Sequence, residues 1–331
     1  MGLSPEFSPF FQKESGFCYP NWEEINSLVE DRYPESKWHE TWCELARAWA
    51  EEICECSGTN YAVSESKNFL IVSALPKRLI RDTSKFLDRS LLAILKNLEG
   101  VANDSGYGMH VVFVFDTIDH YYNYISHFHG EGVHPMSGGM CITSSGYTHF
   151  AVPATDLSAF RSPLVHEMTH VLVEHLPLPI WLNEALAMRM EEEICRSPVF
   201  HIDREIYDKH AAHWNAETVQ QFWSGGSWEI HGDSFELSYN LAQVLWRKLE
   251  SDLRAPRSEL LGFVADSNWS DGGESACQNR FGISLADLVR DFLGEGDWTP
   301  KPEMWKPKVE STSDPRTTNC RRDIPLAHDL E

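Results

Sequence analysis

From Asn21 the apolar residues return at three- and four-residue steps. Trp22, Ile25, Leu28 and Val29 fall on one helical face, and Trp38, Trp42, Leu45, Trp49 and Ile53 continue the pattern. This predicts an N-terminal helical segment over residues 1–60 whose tryptophans are core packing. The period then changes. Residues 68–73 (NFLIVS) read as a strand, Thr83 to Leu98 as an amphipathic helix, and Met109 to Phe115 as a buried strand. Asp116 and Thr117 are placed to cap a short helix, and Gly130, Gly132, Pro135, Gly138 and Gly139 mark a long loop. Two short strands, Met140 to Thr143 and Tyr147 to Val152, flank Ser144-Ser-Gly. Beyond Ser162 the pattern is helical to about Leu293, with breaks at Pro177–Pro179, at Ser224-Gly-Gly-Ser and at Asp271-Gly-Gly. The result is an α+β chain in four segments. These are the helical start (1–60), a sheet-containing part ending in a helix (61–176), a mainly helical part (177–297), and a Pro- and charge-rich tail (298–331) expected to wrap the surface or stay disordered. No internal repeat is visible.

Composition narrows the function classes. The 331 residues carry 28 Lys plus Arg against 50 Asp plus Glu, a net charge of −22, while 42% apolar residues supply a large core. An acidic surface repels phosphate backbones and anionic headgroups, so neither nucleic acid nor a membrane is an expected partner. No run of 18 apolar residues and no N-terminal secretory pattern is present. The eight cysteines are scattered without CxxC pairs and read as reduced thiols. A cytoplasmic location is the expectation.

The candidate chemistry lies in Ser162-Pro-Leu-Val-His-Glu-Met-Thr-His. Ser162 suits an N-cap and Pro163 the first helical position, where a missing N–H costs nothing. His166 and His170 then project from the same face one turn apart, at a spacing one metal ion can bridge. Glu167 stands beside them, where a carboxylate can act as general base. Leu164, Val165, Met168, Val171 and Leu172 make the helix mostly buried, and burying two imidazoles and a carboxylate without partners is costly. A metal ion removes that cost.

Catalytic zinc usually keeps three protein ligands, so a third donor is needed. A third histidine six residues after His170 is excluded, because that position is Leu176. His175 falls roughly 140° around the helix from His170 and faces elsewhere. Glu191, Glu192 and Glu193 form a run that reads as a solvated face. Glu184, thirteen residues beyond His170, lies in Trp181-Leu-Asn-Glu-Ala-Leu-Ala. Prolines 177 and 179 turn the chain so that a second helix from about Ile180 can lie against the first, with Ala185 and Ala187 permitting close approach.

HEMTH, a proline turn and WLNEALA together resemble the gluzincins, the thermolysin-related clan of zinc metallopeptidases, and are most similar to its peptidase-MA-like group. The resemblance is dense over about residues 162–190. It implies a thermolysin-like catalytic unit, a small twisted mixed sheet plus active-site helix packed on a mainly helical C-terminal part. It also implies Zn²⁺ on His166, His170 and Glu184, with Glu167 as base. Ala185 stands where the family commonly has glycine. Tyr239, near the start of a predicted helix, is the first candidate to stabilise an oxyanion, and His231 in the preceding loop the second. Tyr239 among Phe235, Leu237, Leu241 and Leu245 reads equally as a core residue.

The resemblance further implies that Met140 to Val152 holds an edge strand along which an extended peptide pairs. Aminopeptidases of the clan carry Gly-x-Met-Glu-Asn there. Gly138-Gly-Met-Cys-Ile lacks the glutamate that grips a free amino terminus, so an endopeptidase acting on peptide or protein is the expected activity. A non-cleaving zinc-binding module and a zinc hydrolase of a non-protein amide are the competing readings. The histidines between His120 and His134 have no acidic or thiol partner at a familiar metal spacing and read as surface residues. Oligomeric state is not legible.

Overall fold

The computed structural model describes residues 6–57, 61–128, 138–154, 161–196, 201–230 and 232–305. The architecture is α+β. By contacts in space the chain forms two compact units. One holds the described residues of Met1–Leu92 and Ser105–Glu167, the other Ala93–Asp104 and those of Met168–Lys308. This is a division by packing rather than along the sequence. No described helix is long and apolar enough to cross a membrane.

The first unit opens with a hairpin, β1 (Phe11–Glu14) and β2 (Phe17–Pro20). Sequence analysis read this region as helical only. The reason is physical: the strands are four residues each, and the turn Ser15-Gly16 lacks the stronger Asn-Gly or Asp-Gly signal. Both turn residues have positive φ (50° and 82°), which suits a two-residue hairpin between the paired Glu14 and Phe17. Helices α1 (Trp22–Arg32) and α2 (Glu35–Cys56) follow as expected. Trp22, Trp42 and Trp49 are buried. The Trp49 indole N–H donates to the Cys18 carbonyl at 2.8 Å, tying α2 to the hairpin.

A five-stranded sheet is built from β3 (Ala62–Glu65), β4 (Phe69–Ser73), β5 (His110–Phe115), β6 (Met140–Ser144) and β7 (Tyr147–Pro153), in the order β3-β4-β5-β7-β6. Both outer pairs are antiparallel and both inner pairs parallel. The continuous apolar run of β4 and β5 marks strands covered on both faces, and both are buried almost throughout. Sequence analysis missed β3, whose AVSE has no alternation and lies exposed at an edge. Helix α3 (Lys77–Asn97) joins β4 to β5. It starts two turns before the expected Thr83, because its first residues are polar and only Ile80 among them is buried. Helix α4 (Ile118–Ile125) is capped by Thr117, whose hydroxyl accepts from the His120 N–H. β6 and β7 join through Ser145-Gly146, again both at positive φ.

Helix α5 spans Arg161–Val173 among the described residues, so Arg161, ahead of the expected cap, is already helical. Ser162 is therefore helical and not the N-cap, and Pro163 is the third described residue; the preceding positions lie outside the described residues. Pro163 is still harmless, because the first four N–H groups of a helix lack intrahelical partners. Its ring lies close to Val152, and Gly139 fits between them with no room for a side chain, since a Cβ there would come within 2.8 Å of Val152.

The second unit is helical: α6 (Ile180–Cys195), α7 (Arg204–His213), α8 (Thr218–Ser224), α9 (Asp233–Arg247), α10 (Arg257–Asp266), α11 (Glu274–Phe281) and α12 (Leu285–Leu293). Breaks fall at the three expected places. The segment from Trp298 lies on α8, where Gln220 donates to the Thr299 carbonyl and accepts from the Lys301 N–H, both at 2.8 Å. That bears on the surface-wrapping expectation for 298–305; residues 306–331 lie outside the described ones. Cys18, Cys43, Cys54, Cys56 and Cys277 are free thiols.

On β7, His149 is fully buried among Trp49, Phe113 and Tyr124, with its Nε2 2.7 Å from the Tyr124 hydroxyl. Burial lowers its pKa from 6.5 to about 3. The folded ring stays neutral while the unfolded one protonates below about 6.5, so stability is full above that pH and falls as pH drops toward 3. His149→Gln is expected to flatten the pH dependence of denaturant-measured stability between pH 6 and 5 by about 1 kcal/mol per pH unit. An unchanged slope would contradict a neutral buried ring.

Candidate metal centre

Helix α5 has no polar face: Leu164, Val165, Met168, Leu172 and Val173 are buried, and so are His166, Glu167, Thr169 and His170, each at most 1% exposed. Side chains of both kinds are thus shielded from water on this helix. It ends at Val173, so His175 lies beyond the helix, and Glu174 and His175 are exposed. The chain turns through Pro177–Pro179, and Pro179, extended at ψ 146°, occupies the N-cap of α6.

The rotational setting of α6 is fixed by its first residues. Trp181 is fully buried, its indole N–H donates to the Gly272 carbonyl at 2.9 Å, and its ring packs on Phe222, Trp223 and Phe263. Ile180 rests on Gly225, where φ is 86° and an added Cβ would fall 2.3 Å from the Ile180 methyl. Any other residue there would push the start of α6 outward. With α6 so anchored, Glu184 points inward and is fully buried.

His166, His170 and Glu184 bring one donor atom each to within 4.8 Å of one another; among the described residues no other group of three His, Cys, Asp or Glu does so. His170 Nε2 and Glu184 Oε2 are 3.5 Å apart. A charge-assisted hydrogen bond is shorter, about 2.7–2.9 Å. Two donors each about 2.0–2.1 Å from one tetrahedral zinc ion stand about 3.4 Å from each other. The spacing and the donor set, two imidazoles and a carboxylate, therefore fit a shared metal better than a direct ion pair.

Asn183 is a residue the sequence reading passed over. Its Oδ1 lies 2.7 Å from His170 Nδ1. An amide oxygen only accepts, so Nδ1 carries a proton in this contact, and a neutral ring would then keep its lone pair on Nε2, toward Glu184. This outer contact fixes ring orientation and tautomer. The available signal was its position immediately before the acidic residue in WLNEALA.

The remaining candidates divide. Glu167 is buried on α5 beside the histidines. Tyr239 lies in the second turn of α9, the helix packed most extensively against α6. It is half-buried with a buried hydroxyl oxygen, and its ring meets Phe235 and Trp228 edge-on, so it has the aromatic contacts of a core residue as well. His231 lies outside the described residues. Glu191–Glu193 form a solvated face only in part: Glu191 is buried, while the half-buried Glu192 and the exposed Glu193 accept from Arg247 (2.7 Å) and Arg189 (3.0 Å). The cations were not visible as partners because Arg247 is distant in sequence. His120 does have an acidic neighbour: its Nδ1 lies 2.7 Å from Asp116 Oδ1. His129 and His134 lie outside the described residues.

No protein-family model matches this chain, and no curated protein matches it. Asn183→Ala is expected to weaken zinc binding about 10–100-fold, read by competition with a chromophoric chelator. Wild-type affinity in that variant would show that the bond has no orienting role.

Proposed function

We propose that this chain is a zinc-dependent metallopeptidase of the gluzincin type, more suited to internal peptide bonds than to amino-terminal ones. The observation that carries the reading is the convergence of His166, His170 and Glu184 within 4.8 Å in a buried position. Support also comes from HEMTH and WLNEALA themselves and from the mixed sheet whose edge strand β6 runs antiparallel to β7. The finer thermolysin-like arrangement belongs to this proposal.

When bound, zinc supplies Lewis acidity toward a carbonyl oxygen and draws the pKa of water toward neutrality. The protein residues hold and orient the reacting groups. His166, His170 and Glu184 are the ligands, and Asn183 keeps the His170 lone pair available. A carboxylate oxygen of Glu167 takes a proton from the attacking water and gives it to the leaving nitrogen, so Glu167 ends the cycle ionised as it began. Tyr239, with His231 as second candidate, is the donor for the oxygen that gains charge. The Cys141 position lacks the acid that would favour a free amino terminus.

The test is incubation of the purified chain with a mixed peptide library, with and without a chelator. Chelator-sensitive cleavage within peptides is expected. Zinc content without any cleavage favours a binding module, and cleavage of amides other than peptides favours a different hydrolase. Glu167→Gln is expected to retain one zinc per chain and lose at least about 10²-fold in rate. His166→Ala, His170→Ala and Glu184→Ala are expected to lose the metal. Wild-type turnover by Glu167→Gln, or stoichiometric zinc in Glu184→Ala, would overturn the assignment.

A further inference from the structure

Helix α6 begins on a platform assembled from distant parts of the second unit. The Gly272 carbonyl accepts from the Trp181 indole N–H at 2.9 Å, Phe222 and Trp223 of α8 pack on the Trp181 ring, and Gly225 at the end of α8 seats Ile180. Trp181 precedes Asn183 by two residues and Glu184 by three, within one helical turn. Where Trp181 is held therefore sets where the Asn183 amide and the Glu184 carboxylate stand.

A segment that supplies no candidate ligand covers this platform. Residues 298–305 lie across α8, and Gln220, only 5% exposed, fastens them. Its amide group donates to the Thr299 carbonyl at 2.8 Å, and its oxygen accepts from the Lys301 N–H at 2.8 Å and from the Trp305 indole N–H at 3.2 Å. The Trp223 indole N–H adds a bond to the Trp298 carbonyl at 2.9 Å.

The same segment reaches the other half of the platform. A Cβ placed on Gly272 would lie 3.4 Å from the Trp305 ring, 3.7 Å from Trp223 and 3.9 Å from Pro300. Both holds on Trp181, the α8 rings and the Gly272 carbonyl, thus sit under one short stretch of chain. A buried amide bonded through both its nitrogen and its oxygen is directional, so the segment has one seating on α8 and not a choice of several.

On the zinc-binding reading above, we propose that residues 298–305 are a positioning element for the metal centre. Fastened through Gln220, they hold Trp181 in place and so keep Glu184 and Asn183 set for zinc. Linkage makes the effect reciprocal: if the seated segment favours zinc, bound zinc favours the seated segment.

The test uses the full chain, with zinc affinity read by chelator competition and exchange of the Trp305 indole N–H read by NMR with and without zinc. Gln220→Ala is expected to bind zinc about fivefold more weakly, and zinc is expected to slow Trp305 exchange in the parent chain by a similar factor, about fivefold. Trp305→Phe keeps a ring at a half-buried position and loses only the bond to Gln220. It should weaken zinc about twofold, and it carries the test if Gln220→Ala does not fold. Ser284→Ala removes the N-cap of α12 in the same unit and controls for general loosening; it should lower the melting temperature and leave zinc affinity unchanged. Parental zinc affinity in both strap variants, an equal loss in Ser284→Ala, or Trp305 exchange indifferent to zinc would overturn this proposal alone. A parent chain that binds no zinc would overturn the metal centre as well.

Discussion

The structure turns on the burial of ionisable side chains at one place. Two imidazoles and a carboxylate, each at most 1% exposed, converge within 4.8 Å where the surrounding side chains of α5 and α6 are almost wholly apolar. Taking such groups out of water is costly unless each is compensated by charge, hydrogen bond or metal. The neighbouring architecture serves that compensation. The proline turn brings α6 back alongside α5, Trp181 sets its rotation, Gly225 lets Ile180 seat, and Asn183 fixes the ring of His170.

Much of this was legible because local rules and global need agree. The HEMTH spacing places two rings on one helical face from sequence alone, and prolines 177 and 179 announce the turn between α5 and α6. The strands β4 and β5 were legible as continuous apolar runs. Other features were invisible for identifiable reasons. The hairpin of Phe11–Pro20 is short and turns on Ser-Gly. β3 is an exposed edge with no alternation. Ser162-Pro163 satisfies the sequence pattern for a cap, whereas Arg161 before it is already helical. Glu191–Glu193 misled in part, since their compensating cations lie elsewhere: Arg189 is near in sequence, but Arg247 arrives only through folding. Asn183 needed the folded turn to bring it to His170.

The first unit has a different character. Its stability rests on aromatic packing, with Trp22, Trp49, Phe113, Phe115 and Tyr124 meeting mainly at steep or tilted ring angles around the buried His149. Edge-to-face packing of this kind is directional, so it fixes where each ring faces and not merely that it is buried.

Anomalous X-ray diffraction from crystals grown with zinc, collected on both sides of the zinc absorption edge, addresses the central claim most directly. The expected result is a single strong peak about 2.0–2.2 Å from a nitrogen of His166, Nε2 of His170 and a carboxylate oxygen of Glu184. No peak at those three side chains, with zinc bound elsewhere or not at all, would contradict it.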